Sequence, residues 1–471
     1  MDIFSLSAAG VLYLLLQICV TVHILLFKDD VKSSIGWIGL VWLAPLLGSV
    51  IYALFGINRI KRKALSLKNP KRDILKIMGK TQEEIEKEIP KNLLQMLKLG
   101  YSVHPQTFAL GNKISPLING DEAYPQMCAA IEKARKEVLM ESYIFNNDKA
   151  GQMILSAAKK ASAAGAKIKI IVDGVGLNYS RPNIAHAAKK INGAEFAVFL
   201  PSKKPAALPF VNLRSHRKIM IIDGETAFFG GMNIAEGNLL QTNPKEPIRD
   251  ITFKIEGPVI NQLTRIFMED WIFAGGKPFK PAVFRENLSL SGGSIARAIP
   301  DGPDGDYGKV ELMVLGAINC AAENINIVTP YFLPEENLLT ALELAAMRGI
   351  NTQIILPQKS NIFGMDWAMR ANFNRLIKKG VKIFLQNPPF DHSKIMTADG
   401  IWSFIGSSNW DERSLKLNFE ANMEIIDKKL AGQLDKIIES KKASSEQIRL
   451  QNYSMPERLL NNAFKLLTPY Y

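Results

Sequence analysis

Cysteine and histidine are scarce in this 471-residue chain, and each scarcity excludes a class of chemistry. The three cysteines, Cys19, Cys128 and Cys320, are odd in number and far apart. They make no disulfide framework and no Cys-x-x-Cys metal pair. The only histidines are His23, His104, His186, His216 and His392. No two of them stand at zinc-ligand spacing, so chemistry without a metal or cofactor is expected. Acidic residues are absent from 59 to 72, where Arg59, Lys61, Arg62, Lys63, Lys68, Lys71 and Arg72 supply seven of the net +13 charges. Charged residues make up 22% and hydrophobic ones 47%, which excludes a disordered chain, and the length fits roughly two to three domains.

A basic cluster of this kind suits nucleic acid or an anionic membrane surface, and its neighbours decide between them. Residues Ile3 to Phe27 and Ile35 to Ile57 are two uncharged, largely apolar runs. Each reaches the roughly 20 residues that cross a bilayer. The first lacks a basic leader and is followed at once by the second, so it reads as a retained helix and not a cleaved signal. KDDVKSS between the runs has no net charge, whereas the basic cluster follows the second directly. The positive-inside rule then places residue 59 onward in the cytoplasm, against anionic lipid, and demotes nucleic acid as a partner. Residues 1–58 are thus expected as two transmembrane helices, and 59–112 as a basic membrane-proximal segment and helical connector.

What organises the rest is HRKIMIIDGETAFFGGMN, from His216 to Asn233. His216 and Lys218 lie two apart in a β-branched run, so on a strand they share a face. Asp223-Gly224 is a turn signal, and TAFF reads as the returning strand of a hairpin. An imidazole, a fixed cation and an amide converging on one point suit a phosphate ester: the histidine attacks or shuttles a proton, and the others spread charge on non-bridging oxygens. One such motif would mean little, but HSKIMTADGIWSFIGSSN repeats it. His392, Lys394, Asp399, Gly406 and Asn409 match His216, Lys218, Asp223, Gly230 and Asn233 at a constant offset, 392 − 216 = 409 − 233 = 176.

The surroundings repeat as well. AAIEKARKEVLMESYIF and AINCAAENINIVTPYF both read as helix then strand, as do AAKKASAAGAKIKIIVDGVG and LELAAMRGINTQIILP around Gly165 and Gly349. Such alternation implies sheets flanked by helices. The expected organisation is a first α/β half at 113–290, a Gly- and Pro-rich linker at 291–308, and a second half at 309–471. Each half brings one His and one Lys, so a complete site is expected where they meet. The second half ends in PERLLNNAFKLLTPYY, an amphipathic helix for the membrane or for capping the core.

With both motifs placed, the chain resembles the phospholipase D superfamily and, within it, the bacterial cardiolipin synthases. The resemblance rests on LAPLLGSVIYALFGINRIKRK, ESYIFNND, DGVG, HRKIMIIDG, GGMN, TPYFLP, HSKIM, GSSNWDERS and NFEANMEI. GSSN, with Ser407, looks like the superfamily's usual turn; GGMN carries Gly231 in that place. Asp391, just before the second histidine, departs from the familiar pattern. The resemblance implies two phospholipase D-like α/β sandwich halves with the site at their interface, behind a transmembrane helical hairpin. It implies phosphatidyl transfer between two phosphatidylglycerol molecules through a phosphohistidine, giving cardiolipin and glycerol at the cytoplasmic membrane. By that analogy His216 is the nucleophile and His392 the proton shuttle. Lys218, Lys394, Asn233, Asn409 and Ser407 hold the phosphoryl oxygens, and Asp250 and Glu420 orient the histidines. Asp223 and Asp399 complete the motifs and are expected to brace them without touching phosphorus. Hydrolysis, transfer to another alcohol or phospholipid, and nuclease action use the same constellation; the membrane hairpin argues against the last.

Overall fold

The computed structural model describes residues 3–28, 31–56, 91–201, 213–281, 292–303 and 306–468. The basic cluster at 59–72 and the connector as far as residue 90 lie outside them. Ile3–Phe27 is one continuous helix, and among the described residues it is the one long and apolar enough to cross a bilayer. The second expected span is not one continuous helix. Residues from 31 to 56 form three pieces, Val31–Leu43, Pro45–Ile51 and a π-helical Tyr52–Gly56. Pro45 has no N–H to give, and its ring excludes helical geometry from Ala44, which sits at φ −139° and ψ 78°. The pieces still fold back on the first helix. Trp42 Nε1 donates to Thr21 Oγ1 at 3.1 Å, and His23 Nδ1 lies 2.8 Å from the Tyr52 hydroxyl. Leu12, Leu15, Leu25, Leu26, Leu43 and Leu47 remain exposed.

The body is built on a single 15-stranded sheet. Its middle strand is Ser294–Asp301, inside the stretch expected to be a linker. The flanking glycines and prolines do mark turns, but SIARAIPD between them pairs with Glu420–Ile426 on one side and Ala109–Ile118 on the other. Arg297 hides the apolar alternation of that strand; it is fully buried because its Nε donates to Glu424 at 2.6 Å. The strand Ala109–Ile118 also runs across the boundary expected between 112 and 113.

Outward from this centre the strand order is the same in both directions. One way, beyond Ala109–Ile118, it runs Ile251–Glu256, Thr226–Gly230, Ile219–Ile222, Glu137–Ser142, Lys167–Asp173, Ala194–Phe199. The other way it runs Glu420–Ile426, Trp402–Gly406, Ile395–Ala398, Asn324–Val328, Asn351–Pro357, Lys382–Gln386, with Ser445–Ile448 added at the edge. Side chains alternate across the sheet. Leu139, Ile171, Ile219 and Ile221 pack under the helices Ile260–Phe273 and Lys428–Ala443. Val138, Met140, Ile168 and Ile170 pack under Asn119–Lys133 and Lys149–Ala163 on the opposite face.

The last helix, Met455–Lys465, starts at a capping box of Ser454 and Glu457. It docks through Phe464, stacked on Trp367 with ring centroids 4.9 Å apart, while Met455, Leu459 and Leu466 stay exposed.

Candidate active site

Each histidine is held by backbone from the other motif's side of the sheet. The regular strand begins only at Ile219, so His216 and Lys218 precede it in extended chain. Ser215 bridges to Phe419; the His216 N–H donates to the Phe419 carbonyl at 2.9 Å, and the Phe419 N–H to that of Arg214 at 2.8 Å. Likewise the His392 N–H donates to the Arg249 carbonyl at 2.8 Å, beside the parallel pairing of Phe390–Asp391 with Ile248–Arg249. The two rings end 6.3 Å apart between centroids, at 82°.

The carboxylates cross in the same way. His216 Nδ1 faces Glu420 Oε1 at 3.0 Å and the Ser407 carbonyl at 3.0 Å. Both are acceptors, so Nδ1 carries the proton and Nε2 presents its lone pair to the cavity. His392 Nδ1 faces Asp250 Oδ2 at 2.9 Å. The two carboxylates expected to orient the histidines thus cross over: Asp250, 34 residues after His216, meets His392, and Glu420, 28 after His392, meets His216. Their environments differ. Burial pushes Glu420 up, but His216, Lys218 and Ser407 outweigh it and hold the carboxyl below its usual range. Ser407, Ser414 and Asn418 all donate to it. Burial raises Asp250 to about 7, with Lys394 pulling against it.

Ser407 is therefore corrected. It was expected on the phosphate, yet its side chain is fully buried and its hydroxyl is committed to Glu420. Asn233 and Asn409 do line the cavity, which has a volume of about 750 Å³ and also exposes His216, His392, Tyr143 and Tyr331. Asn233 Oδ1 is anchored by the Ile144 N–H at 3.1 Å, so the amide nitrogen is the part left for a ligand. Lys218 Nζ donates to the His216 carbonyl. Lys394 Nζ donates to the His392 carbonyl at 2.7 Å and lies 3.0 Å from His392 Nε2. Burial draws Lys218 down to about 7 and Lys394 to about 8, against the attraction of Glu420 and Asp250. Burial likewise lowers His216 to about 4 and His392 well below its ordinary value. Glu420 and Asp250 are already engaged with the histidines, so the two buried ammonium groups can take a further anion, and a phosphodiester supplies one. Among the described residues no group of three or more His, Cys, Asp or Glu side chains is arranged to hold a metal ion.

Asp223 and Asp399 lie at the far ends of their strands, about 16 Å of extended chain from the lysines. Asp223 accepts from the N–H groups of Arg135, Lys136 and Glu137 at 2.8, 2.8 and 2.9 Å. Asp399 accepts from Ala322, Glu323 and Asn324 at 2.9, 2.8 and 3.1 Å. Each sits at φ +52° in the hairpin turn and ties it to the start of the neighbouring strand. Asp223→Ala or Asp399→Ala is expected to cost about 2–4 kcal/mol, since three donors lose their acceptor. Thermal denaturation should show a lower midpoint, with little change in specific activity of the folded fraction; a large activity loss at an unchanged midpoint would contradict the bracing role.

Sequence reading missed Tyr143 and Tyr331, whose rings stand 5.2 Å from His216 and 6.3 Å from His392. Their position at the end of matched strands was the available signal. It also missed Ser414 and Asn418, which lie in motifs quoted above without a role. Asp391 is buried and paired with Lys441, behind His392 and away from the cavity wall.

The family model for the cardiolipin synthase, PLD-like domain matches residues 127–271 and 314–442. A cardiolipin synthase of Clostridium perfringens is 30% identical over 419 residues, covering 87% of each chain. Cardiolipin synthase 1 of Bacillus cereus is 29% identical, over 98% of this chain and 93% of its own. The phosphatidylserine synthase structure from Haemophilus influenzae superposes with a TM-score of 0.61 at 15% identity, over 80% of this chain and 99% of its own, a likeness of fold. The chain belongs to the family of cardiolipin synthase, PLD-like domains.

Proposed function

We propose that the protein transfers a phosphatidyl group between two phosphatidylglycerol molecules, releasing glycerol and forming cardiolipin through a covalent phosphohistidine. The observation that carries this is the crossed pair: two buried, neutral histidines facing one cavity, each fixed at Nδ1 by the other motif's carboxylate, with a buried lysine bonded to each histidine's carbonyl. Near-attack contacts of about 3–3.5 Å allow one phosphorus to lie within reach of both rings. His216 Nε2 attacks, and the phosphoryl oxygens are held by Lys218, Lys394, Asn233 and Asn409. His392 Nε2 takes a proton from the Lys394 ammonium beside it and passes it to the leaving glycerol. It then deprotonates the glycerol hydroxyl of the second lipid, which attacks phosphorus and frees His216. The repeated strand order supports two phospholipase D-like halves meeting at this site. The apolar N-terminal helices support a multi-pass membrane hairpin, with the catalytic body on the cytoplasmic side.

The test is incubation of the purified protein with phosphatidylglycerol labelled in its headgroup and its acyl chains. Cardiolipin and free glycerol are expected; phosphatidic acid alone would replace transfer with hydrolysis.

Two further outcomes follow. Chelators are expected to leave the chemical step unchanged, because Lys218 and Lys394 bring the positive charge that a divalent ion would supply. Loss of activity in EDTA that one particular ion restores would contradict this. The second concerns pH. An ammonium is charged below its pKa, so attraction for a phosphodiester is lost as pH rises through about 7 and 8 at Lys218 and Lys394. kcat/KM should fall across that window. kcat should fall only at higher pH, because the bound anion raises both values. A kcat/KM profile flat from about pH 6 to 9 would remove the lysines from substrate binding.

A further inference from the structure

The cavity is uneven in a way that the repeated motifs do not require. Arg214 stands two residues before His216, and the matching position, 214 + 176 = 390, is Phe390. Arg413 follows Asn409 by four, and its match, 413 − 176 = 237, is Gly237. All four line the cavity. Arg214 and Arg413 are close enough to act on each other at one end, while Phe390, with Tyr331 and Ile248 against it, stands beside His392.

The arginines are poorly matched by the protein itself. Arg214 is 3% exposed, and its Nε and Nη2 have no hydrogen-bond partner among the described residues. Its remaining nitrogen reaches the Leu200 carbonyl only at 3.5 Å. Asp173 Oδ1, 3.9 Å from Nε, is already used by the N–H groups of Val175 and Gly176, and Oδ2 by that of Ser215. Among the described residues no hydrogen bond or ion pair occupies the Arg413 guanidinium, and its charged neighbour Asp411 is taken by the Ser414 N–H and the Asn409 side chain. A buried guanidinium with unmatched donors costs free energy, and the partly exposed Arg413 adds a second positive charge that repels Arg214. An oxyanion at this end satisfies both, in the forked geometry that arginine favours.

We infer that Arg214 and Arg413 form a second phosphodiester subsite, which holds the non-reacting phosphate of the acceptor lipid while the histidines work on the donor phosphate. This rests on the phosphatidyl-transfer reading above. Cardiolipin carries two phosphates joined by one glycerol, so the acceptor brings a second negative charge into the cavity with its hydroxyl. Two residues of extended chain separate Arg214 from His216, about 7 Å, a distance that a three-carbon bridge with its ester oxygens can span.

The test compares two reactions of the full-length protein in mixed micelles. One is cardiolipin formation, which needs two lipid phosphates. The other is exchange of labelled glycerol into phosphatidylglycerol, which passes through the same covalent adduct with one. For Arg413→Gln, and more so with Arg214→Gln added, the ratio of synthesis to exchange is expected to fall about tenfold or more. Arg413→Lys should recover part of it. Arg413 is partly exposed, so its variant carries the result even if the buried Arg214 variant folds poorly. A ratio equal to wild type, with both rates lowered together or neither, would overturn the subsite. Wild-type protein that neither exchanges glycerol nor makes cardiolipin would instead overturn the transfer reading, and the subsite with it.

Discussion

Replacing His216 with alanine is expected to lower cardiolipin formation by more than about 10⁴-fold. Proton transfer by a positioned side chain is worth roughly 10²–10⁴ by itself, and here the covalent route disappears as well. No other histidine lines the cavity except His392, whose Nε2 is already 3.0 Å from Lys394 Nζ. The fold should survive the change. Glu420 keeps the Ser407, Ser414 and Asn418 donors, so its charge is not left bare. Detergent-extracted variant and wild type should give similar thermal midpoints and the same labelled-lipid uptake. Turnover within tenfold of wild type would mean that His216 is not the nucleophile.

The repeated motif made the candidate site legible before any fold was known, because a constant offset of 176 ties five positions together whatever lies between. What the offset could not carry is pairing across the sheet. Glu420 follows His392 in the chain, and nothing local says that its oxygens bond to His216. That follows from the central strands, where Glu420–Ile426 and Ala109–Ile118 flank Ser294–Asp301. This middle strand was itself hidden, since the buried charge of Arg297 looks like loop composition until Glu424 is seen beside it. Ser407 was misread for a related reason. A hydroxyl in a Gly-Ser-Ser-Asn turn invites a phosphate, but the chain direction set by Gly406, at φ +157°, turns Ser407 inward to Glu420 and leaves Asn409 at the cavity. The second apolar run is less regular than its composition suggests: from 35 to 57 it reads as one span, and Pro45 divides it into shorter helices.

The polarity of the two histidines has a direct expected result. In His392→Ala, a phosphatidyl donor with a p-nitrophenol leaving group should give a stoichiometric burst of nitrophenolate, then turnover slower by about 10²-fold or more. A leaving group that is already a stable anion needs no proton, so adduct formation survives the loss of the acid. Breakdown of the adduct does not, because the acceptor hydroxyl has lost its base. The asymmetry of the site supports the proposed assignment. His216 Nε2 has no protein partner, and its Nδ1 is backed by a carboxylate held in the charged form, which stabilises the cation that forms when phosphorus bonds to the ring. His392 rests on Asp250, raised to about 7, and its Nε2 is close to the Lys394 ammonium, an arrangement for passing protons and not for attack. The trapped adduct should be acid-labile, stable to base, and map to the peptide containing His216. A burst in His216→Ala with the label on His392 would exchange the two roles. Label on Ser408, whose hydroxyl accepts from Asn422 at 2.6 Å, would end the phosphohistidine mechanism altogether.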